Sequence, residues 1–193
     1  MQARAVILSA ALVISLGASA AAQDRYNARG PEPQPGTVAI GGSLGAAPPD
    51  DPSFTTGLAL SGDIEDYVSR RLAIRGQLSG AWWDITGRGF TGTTQPIAAE
   101  ANVVYDLGRR RAHPYITGGV GLYHYRFDET PTTGGANKPG VDFGAGMNYF
   151  VHRRTAVTGE VLYHAVSEPV ASPLTVFNSN AYWTVTVGLR SFF

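Results

Sequence analysis

The aspartate, glutamate and arginine residues of this sequence are the first candidates for catalytic or binding chemistry. Paired carboxylates can act as general acid and base, but here they come from separate segments, and no spacing between them supports a catalytic pair. Buried charges must be paired and hydrogen-bonded to be tolerated, and arginine and carboxylate groups suit each other through bidentate contacts. We therefore predict a structural charge network without catalytic residues, with an ion path through the same residues as the alternative. The network comprises Arg75, Glu100, Glu160, Arg190 and Asp63.

The four histidines are the other candidates for chemistry. His113 and His152 lie beside basic clusters, which favours solvent-exposed turns. His164, Ser167 and Glu168 have the residue types of a hydrolase triad, but a spacing of three places the histidine and serine on opposite faces of a continuing strand. We therefore predict that His164 is an ordinary rim residue of a polar face and that the chain is not an enzyme. No histidine pair has metal-ligand spacing backed by a third ligand, and cysteine is absent, so we predict no metal and no cofactor.

Alternating polarity identifies the elements that must position these residues. From Ile97 to Leu107 the odd positions are apolar, while the even positions include Glu100, Asn102 and Asp106. A period of two is typical of a strand with two different faces, and a strand that crosses a membrane needs about 9–11 residues. Eight segments show the pattern: Val38–Leu44, Leu58–Glu65, Leu72–Trp82, Ile97–Leu107, Tyr115–Phe127, Val141–Tyr149, Val157–His164 and Trp183–Arg190.

The polar face is sparse and rich in glycine, whereas a face toward water is normally rich in Lys and Glu. A narrow lumen explains this composition, because small residues save room there. The apolar face carries aromatic residues near strand ends, as in the interfacial girdles of membrane barrels. We therefore predict an all-β fold, an eight-stranded antiparallel up-and-down transmembrane β-barrel; a soluble lipocalin-like barrel is the alternative. The predicted girdle comprises Trp82, Tyr105, Tyr149, Tyr163 and Trp183, with Phe193 beside it.

The connections between segments alternate in length. Short turns are predicted around Val68–Arg71, Arg109–Ala112 and Val151–Arg154, and long loops around Ala46–Ser53, Asp84–Gln95, Asp128–Pro139 and Ser167–Asn178. Short turns face the periplasm in outer-membrane barrels and long loops face outward. The loops, which include Phe54, Trp83, Phe90 and Phe177, are either a contact surface or a passive polar cap. The arginines of the short turns either touch lipid phosphates or only keep the turns solvated.

The N-terminus predicts export. Arg4, an apolar run to Ala20 and small residues ending at Ala22 have the pattern of a cleaved secretory signal. We predict a signal peptide at 1–22, a Pro-rich periplasmic tail at 23–36 that cannot order itself, and a barrel at 37–193. The 15 Lys and Arg residues balance 15 Asp and Glu residues, which gives no electrostatic argument for a nucleic-acid partner.

The stretches Arg71–Gln77, Pro114–Leu122 and Val187–Phe193 resemble the small bacterial outer-membrane β-barrel family, which includes OmpA-type transmembrane domains and opacity-type surface proteins. The resemblance implies that Phe193, Leu189 and Val187 form the signal read by the barrel-assembly machinery. It also implies a monomer in contact with outer-membrane lipid and lipopolysaccharide. Whether the loops bind an extracellular ligand is left open by the sequence. We expect a structural or surface-interaction role in envelope integrity, adhesion or host contact. A narrow or gated channel for small solutes is the main alternative, and a lipid A-modifying enzyme is a third.

Overall fold

The computed structural model describes residues 33–48, 55–87, 90–108, 111–129, 132–167 and 180–193. The predicted signal peptide at 1–22 and most of the predicted tail lie outside the described residues. So do the centres of the predicted loops at Ala46–Ser53 and Ser167–Asn178. Within the described ranges, no helix is long and apolar enough to cross a membrane.

Eight antiparallel strands close into one barrel, which confirms the predicted fold class. Each strand pairs with the next along the chain, and the first pairs with the last. The strands are β1 Val38–Ala47, β2 Gly57–Tyr67, β3 Leu72–Gly87, β4 Phe90–Asp106, β5 Ala112–Glu129, β6 Thr132–His152, β7 Thr155–Val166 and β8 Asn180–Phe192.

The two faces of the wall have inverted polarity, with apolar side chains outside and polar ones inside. Leu78 and Leu122 point outward and are each 66% exposed, whereas Arg75 and Glu65 point inward and are fully buried. Alternation along each strand produces this division, since successive side chains leave opposite faces. The arrangement is the one that the sequence predicts for a membrane barrel and the reverse of a soluble one.

The two ends of the barrel differ in height. The turn end holds the start of β1, the end of β8 and the three short connections that join β2 to β3, β4 to β5 and β6 to β7. At the opposite hairpin end, β3 to β6 rise above the other four strands. Residues 132–139 of β6 pair with β5 and not with β7, and residues 83–87 of β3 pair with β4 and not with β2. Eight residues of strand are about 25 Å long, so the β5–β6 hairpin extends beyond the level at which the described part of β7 ends.

Two of the predicted long loops are therefore wrong. Within Asp84–Gln95 the strands continue to the pair Gly87 and Phe90, and within Asp128–Pro139 they continue to the pair Glu129 and Thr132. Glycine hides the alternation in both segments, while threonine, a β-branched residue, favours an extended backbone. Hairpin pairing then carries both segments upward as strands.

The last residues of the predicted tail are attached to the barrel. Pro33 is buried, and the Gly36 N–H donates to the Tyr67 carbonyl at 2.8 Å. Gly36 has a φ of 85°, a left-handed conformation that glycine adopts without steric cost. The end of the predicted tail is therefore bound to the barrel wall.

Candidate functional site

The centre of the lumen contains an ion-pair layer built on two arginines. Arg75 of β3 contacts Glu65 Oε1 with Nη2 at 2.7 Å and Glu160 Oε2 with Nη1 at 2.5 Å. Arg190 of β8 contacts Asp63 Oδ1 with Nη2 at 2.9 Å and Glu65 Oε1 with Nη1 at 3.0 Å. Glu65 therefore bridges both guanidinium groups. Buried charges with several opposite partners are tolerated, while a lone one is not.

Neighbouring polar and aromatic groups complete this layer. Tyr115 donates its hydroxyl hydrogen to Glu160 Oε2 at 2.7 Å, and its ring lies 5.2 Å from the Arg75 guanidinium carbon and 5.9 Å from that of Arg190. Asn148 accepts a hydrogen bond from Arg190 Nη1 at 3.2 Å. The layer joins β2, β3, β5, β6, β7 and β8 across the barrel.

The structure brings four of the five predicted network residues together and separates the fifth. Asp63 and Glu160 lie on the two arginines, but Glu100 contacts neither of them. Glu65 takes the place expected for Glu100, because its register partner on β3 is Arg75. The polar-face pattern includes Glu65, yet only strand register could show that it faces an arginine.

Glu100 belongs to a second polar cluster nearer the hairpin end. Its Oε1 accepts from the Tyr123 hydroxyl at 2.9 Å and lies 3.0 Å from His164 Nδ1, and its Oε2 accepts from Ser79 Oγ at 3.1 Å. His164 stacks on Tyr182 with ring centroids 4.5 Å apart. The prediction that His164 is a rim residue is wrong, since only 1% of it is exposed; β7 and β8 both continue above it.

Thr184, His164 and Glu100 share the connectivity of a hydrolase triad without the space for a substrate. His164 Nε2 lies 3.2 Å from Thr184 Oγ1, and His164 Nδ1 lies 3.0 Å from Glu100 Oε1. The adjoining cavity has a volume of about 10 Å³, room for about one water molecule. Ser167 does not approach His164, because its Oγ donates to the Pro139 carbonyl at 2.8 Å. No group of three potential metal ligands occurs in the described part of the chain.

Two aromatic clusters close the lumen above and below these polar layers. The upper cluster lies at the hairpin end and the lower cluster at the turn end. The upper one contains Trp83, Tyr123, Tyr125, Tyr182 and Val166 with four alanines. The lower one contains Tyr67, Tyr115, Phe150, Phe192 and Val104 with three alanines. The clusters and the charged groups between them fill the lumen, as the narrow bore of an eight-stranded barrel allows.

The sequence predicts Trp83 in a loop, and this prediction is wrong because Trp83 is a buried residue of β3. It lies on β3 and points inward, where its Nε1–H donates to the Ala47 carbonyl at 2.7 Å. Its ring meets Tyr182 edge-on at a centroid distance of 5.0 Å. Because β3 continues past Trp82, alternation turns Trp83 into the lumen.

We expect Trp83→Phe to destabilise the barrel by about 1–3 kcal/mol, because it leaves the buried Ala47 carbonyl without its donor. The measurement is the urea midpoint of the folded band on a gel that separates folded from unfolded barrel. Trp82→Phe is the matched control, since Trp82 is the next residue and faces outward. Its effect should stay within about 0.5 kcal/mol. Equal effects of the two changes would contradict the inward role of Trp83.

His113 was also expected in a solvated turn and is instead buried. It is the second residue of β5 and faces the lumen, where its Nδ1 lies 2.8 Å from Asp106 Oδ2. The other carboxylate oxygen of Asp106 accepts from the Gly108 N–H at 2.6 Å. His113 also meets the Phe150 ring edge-on at 5.1 Å. The pair closes the β4–β5 turn from inside.

The predicted girdle residues lie on the outer face at two levels. Tyr105 and Tyr149 lie near the turn end, opposite Leu72 and Ala112 in register. Trp82, Tyr163 and Trp183 lie toward the hairpin end, with the Tyr163 and Trp183 rings 4.8 Å apart.

The residues predicted as an assembly signal lie on the last strand. Val187 and Leu189 face outward. The Phe193 N–H donates to the Val38 carbonyl at 2.8 Å and the Val38 N–H to the Phe193 carbonyl at 3.2 Å. Phe193 therefore completes the pairing that closes the barrel. Its recognition by assembly machinery stays a prediction.

Comparison with known proteins identifies the family. The model of the outer membrane protein beta-barrel domain matches residues 8–190. The fold is similar to that of OprG from Pseudomonas aeruginosa (TM-score 0.60, 14% identity, 86% of this chain and 99% of that one) and of Ail, the attachment invasion locus protein of Yersinia pestis (0.58, 12%, 82% and 99%). It is also similar to Neisserial surface protein A (0.58, 14%, 81% and 96%). A search of curated protein sequences finds no match. The chain therefore belongs to the outer membrane protein β-barrel domain family, and it is an outer-membrane barrel with an apolar outer face and a charged lumen.

Proposed function

We propose that this barrel is a non-conducting scaffold of the outer membrane with a structural or surface-interaction role, without enzymatic activity. The observation that carries the proposal is the filled lumen. An ion-pair layer lies between two aromatic clusters, and the cavity beside it has room for about one water molecule. Among the described residues, these side chains leave little room for a solute inside the barrel, which supports a non-conducting role.

The projecting part of the sheet supports the interaction role. Strands β3 to β6 rise beyond the wall at the hairpin end, which faces outward in this class of barrel. Recognition often uses segments that a rigid scaffold holds away from its body. Ail, which shares the fold, has been crystallised with the heparin analogue sucrose octasulfate. We therefore include an extracellular ligand in the proposal. Contact with lipopolysaccharide, assembly by the barrel-assembly machinery and a monomeric state are also part of it, because the family resemblance implies them.

A narrow or gated channel is the second candidate. The small cavity favours it, because its lining includes Ser61, Gln77, Ser79, Thr184 and the carboxylate Glu160. Ion paths through proteins are lined by polar and charged groups of this kind. Movement of an aromatic cluster would have to connect this cavity to both ends.

Planar-bilayer recording separates the two candidates. We expect the folded wild-type barrel to give no stable current steps in potassium chloride. The double variant Trp83→Ala and Tyr182→Ala, which thins the upper cluster, serves as the comparison, with its folded state verified by the gel shift. Stable wild-type steps that change with Arg75→Lys would overturn the scaffold proposal and assign the current to the lumen.

The interaction role has its own test on whole cells. Replacing residues 126–135 with Asn-Gly, a favoured two-residue hairpin turn, shortens the β5–β6 hairpin to the pair Tyr125 and Ala136. We expect cells that display the shortened barrel to lose adhesion to heparin-coated beads while the gel shift remains. Unchanged adhesion would contradict a role for this projection in binding sulfated glycans.

A further inference from the structure

The turn end carries a group of exposed arginines that the charge network does not use. Arg70 and Arg71 lie in the β2–β3 turn, and Arg153 and Arg154 lie in the β6–β7 turn. We call these four residues the basic collar. All four are exposed, whereas Arg75 and Arg190 are buried in the lumen. Their exposure makes them available to a partner outside the barrel.

Backbone hydrogen bonds fix these turns to the neighbouring strands. In each of the three short turns, the carbonyl of an arginine accepts a bond from the end of an adjacent strand. The backbone of the collar is therefore fixed to the wall, so its arginine side chains leave the barrel at set places around the circumference. The bonds run from Asp106 N–H to Arg71 O at 2.7 Å, from Phe150 N–H to Arg111 O at 2.8 Å and from Phe192 N–H to Arg154 O at 2.8 Å.

Little negative charge opposes the collar within the protein. Among the described residues, no ion pair joins any of the four guanidinium groups to a carboxylate. Asp106 is committed to His113 and Gly108, which leaves Asp66 as the one exposed carboxylate of the described side chains at this end. The collar therefore carries an excess of positive charge.

The collar lies just beyond the apolar outer band. Val68 and Leu107 are about half exposed at the start of two short turns, and Tyr105 and Tyr149 face outward beside them. Tyrosines mark the level where hydrocarbon meets headgroups. Arg70 and Arg71 follow Val68 and Ser69 in the β2–β3 turn, and arginine side chains extend toward such an interface while their stems cover apolar surface. The collar arginines thus come next along the chain after the apolar band and its tyrosines, on the turn side, where headgroup phosphates are expected.

We propose that the basic collar binds the phosphate groups of anionic phospholipids in the periplasmic leaflet. Arginine matches phosphate through bidentate hydrogen bonds, and basic residues are attracted to an anionic membrane surface. The adjoining apolar band favours a lipid over a cell-wall glycan, because acyl chains can lie along Val68 and Leu107 while the headgroup meets the arginines. The collar would hold the barrel at a fixed depth and in an anionic lipid environment.

The test is lipid selection by the full-length folded barrel. The protein is placed in nanodiscs with equal amounts of phosphatidylcholine and phosphatidylglycerol, and the lipids that remain bound are counted by native mass spectrometry. The test variant changes Arg70, Arg71, Arg153 and Arg154 to Gln. The matched control changes the same four residues to Lys, which keeps the charge. The gel shift verifies that each variant is folded.

We expect wild type and the Lys variant to retain phosphatidylglycerol preferentially, and the Gln variant to lose at least about fivefold of that preference, the factor that corresponds to roughly 1 kcal/mol. High salt should weaken the wild-type preference. No preference in wild type, or an equal preference in the Gln variant, would overturn the proposal. Binding to isolated cell-wall sacculi that the Gln variant loses, without any lipid preference in wild type, would also overturn it and assign the collar to a glycan.

Discussion

Replacing Arg75 by Leu is expected to lower the free energy of unfolding by about 3–5 kcal/mol. Removing one partner of a buried ion pair leaves an uncompensated charge, and such changes are among the most destabilising. Glu160 would lose its arginine and keep the Tyr115 hydroxyl, and Glu65 would lose one of its two arginines. The measurement is urea unfolding of the barrel in zwitterionic detergent, followed by the gel shift.

Two further variants show whether the loss arises from the ion pair. Arg71→Leu removes the same type of side chain from an exposed turn of the same strand pair, and its effect should stay within about 0.5 kcal/mol. Adding Glu160→Gln to Arg75→Leu removes one of the carboxylates left behind and should recover part of the lost stability. If Arg75→Leu proves no more harmful than Arg71→Leu, the lumen ion pairs do not stabilise the fold.

The sequence alone predicts which charged residues face the lumen, but it does not predict which of them form ion pairs. Period-two alternation correctly places Arg75, Glu100, Glu160 and Arg190 on the inner face, because each side chain's face follows from its position in its own strand. Which carboxylate meets which arginine depends on register and on the closure of the barrel. A shift of register changes every cross-strand neighbour. The sequence therefore predicts a lumen network but not the bridging role of Glu65.

Strand ends are the other place where sequence reasoning is incomplete. The sequence pattern predicts connections at His113 and Trp83, yet each residue lies within a strand and faces inward. The alternation weakens at strand ends, where glycine, threonine and arginine become frequent. Hairpin pairing, which no single segment reveals, then extends the strand. The inward orientation of His113 and Trp83 therefore cannot be predicted when each segment is considered separately.

Replacing Gly188 by Val is expected to prevent the barrel from closing. Gly188 lies on the inner face of β8 opposite Ser43 of β1, in the strand pair that joins the two ends of the sheet. A Cβ atom there would overlap the carbonyl oxygen of Gly42 and lie 2.7 Å from the Ser43 Cα. These are backbone atoms, so no side-chain rotation relieves the clash. We expect a loss of about 3 kcal/mol or more, at or beyond the upper end of the usual range for overpacking, seen as little or no folded band after refolding.

Gly42→Val is the matched control, because Gly42 lies on the adjacent strand and faces outward. A Cβ atom at Gly42 would meet only the Ser61 carbonyl oxygen, at 3.8 Å, and valine favours the extended backbone of a strand. This variant should fold with a normal gel shift. If both variants fold normally, β1 and β8 approach each other less closely than the structure has them. If both fail, a branched residue anywhere near this strand pair is harmful, and the inner-face clash is not the cause. Failure of Gly188→Val alone would mean that a small residue is required on the inner face where β1 and β8 pair to close the barrel.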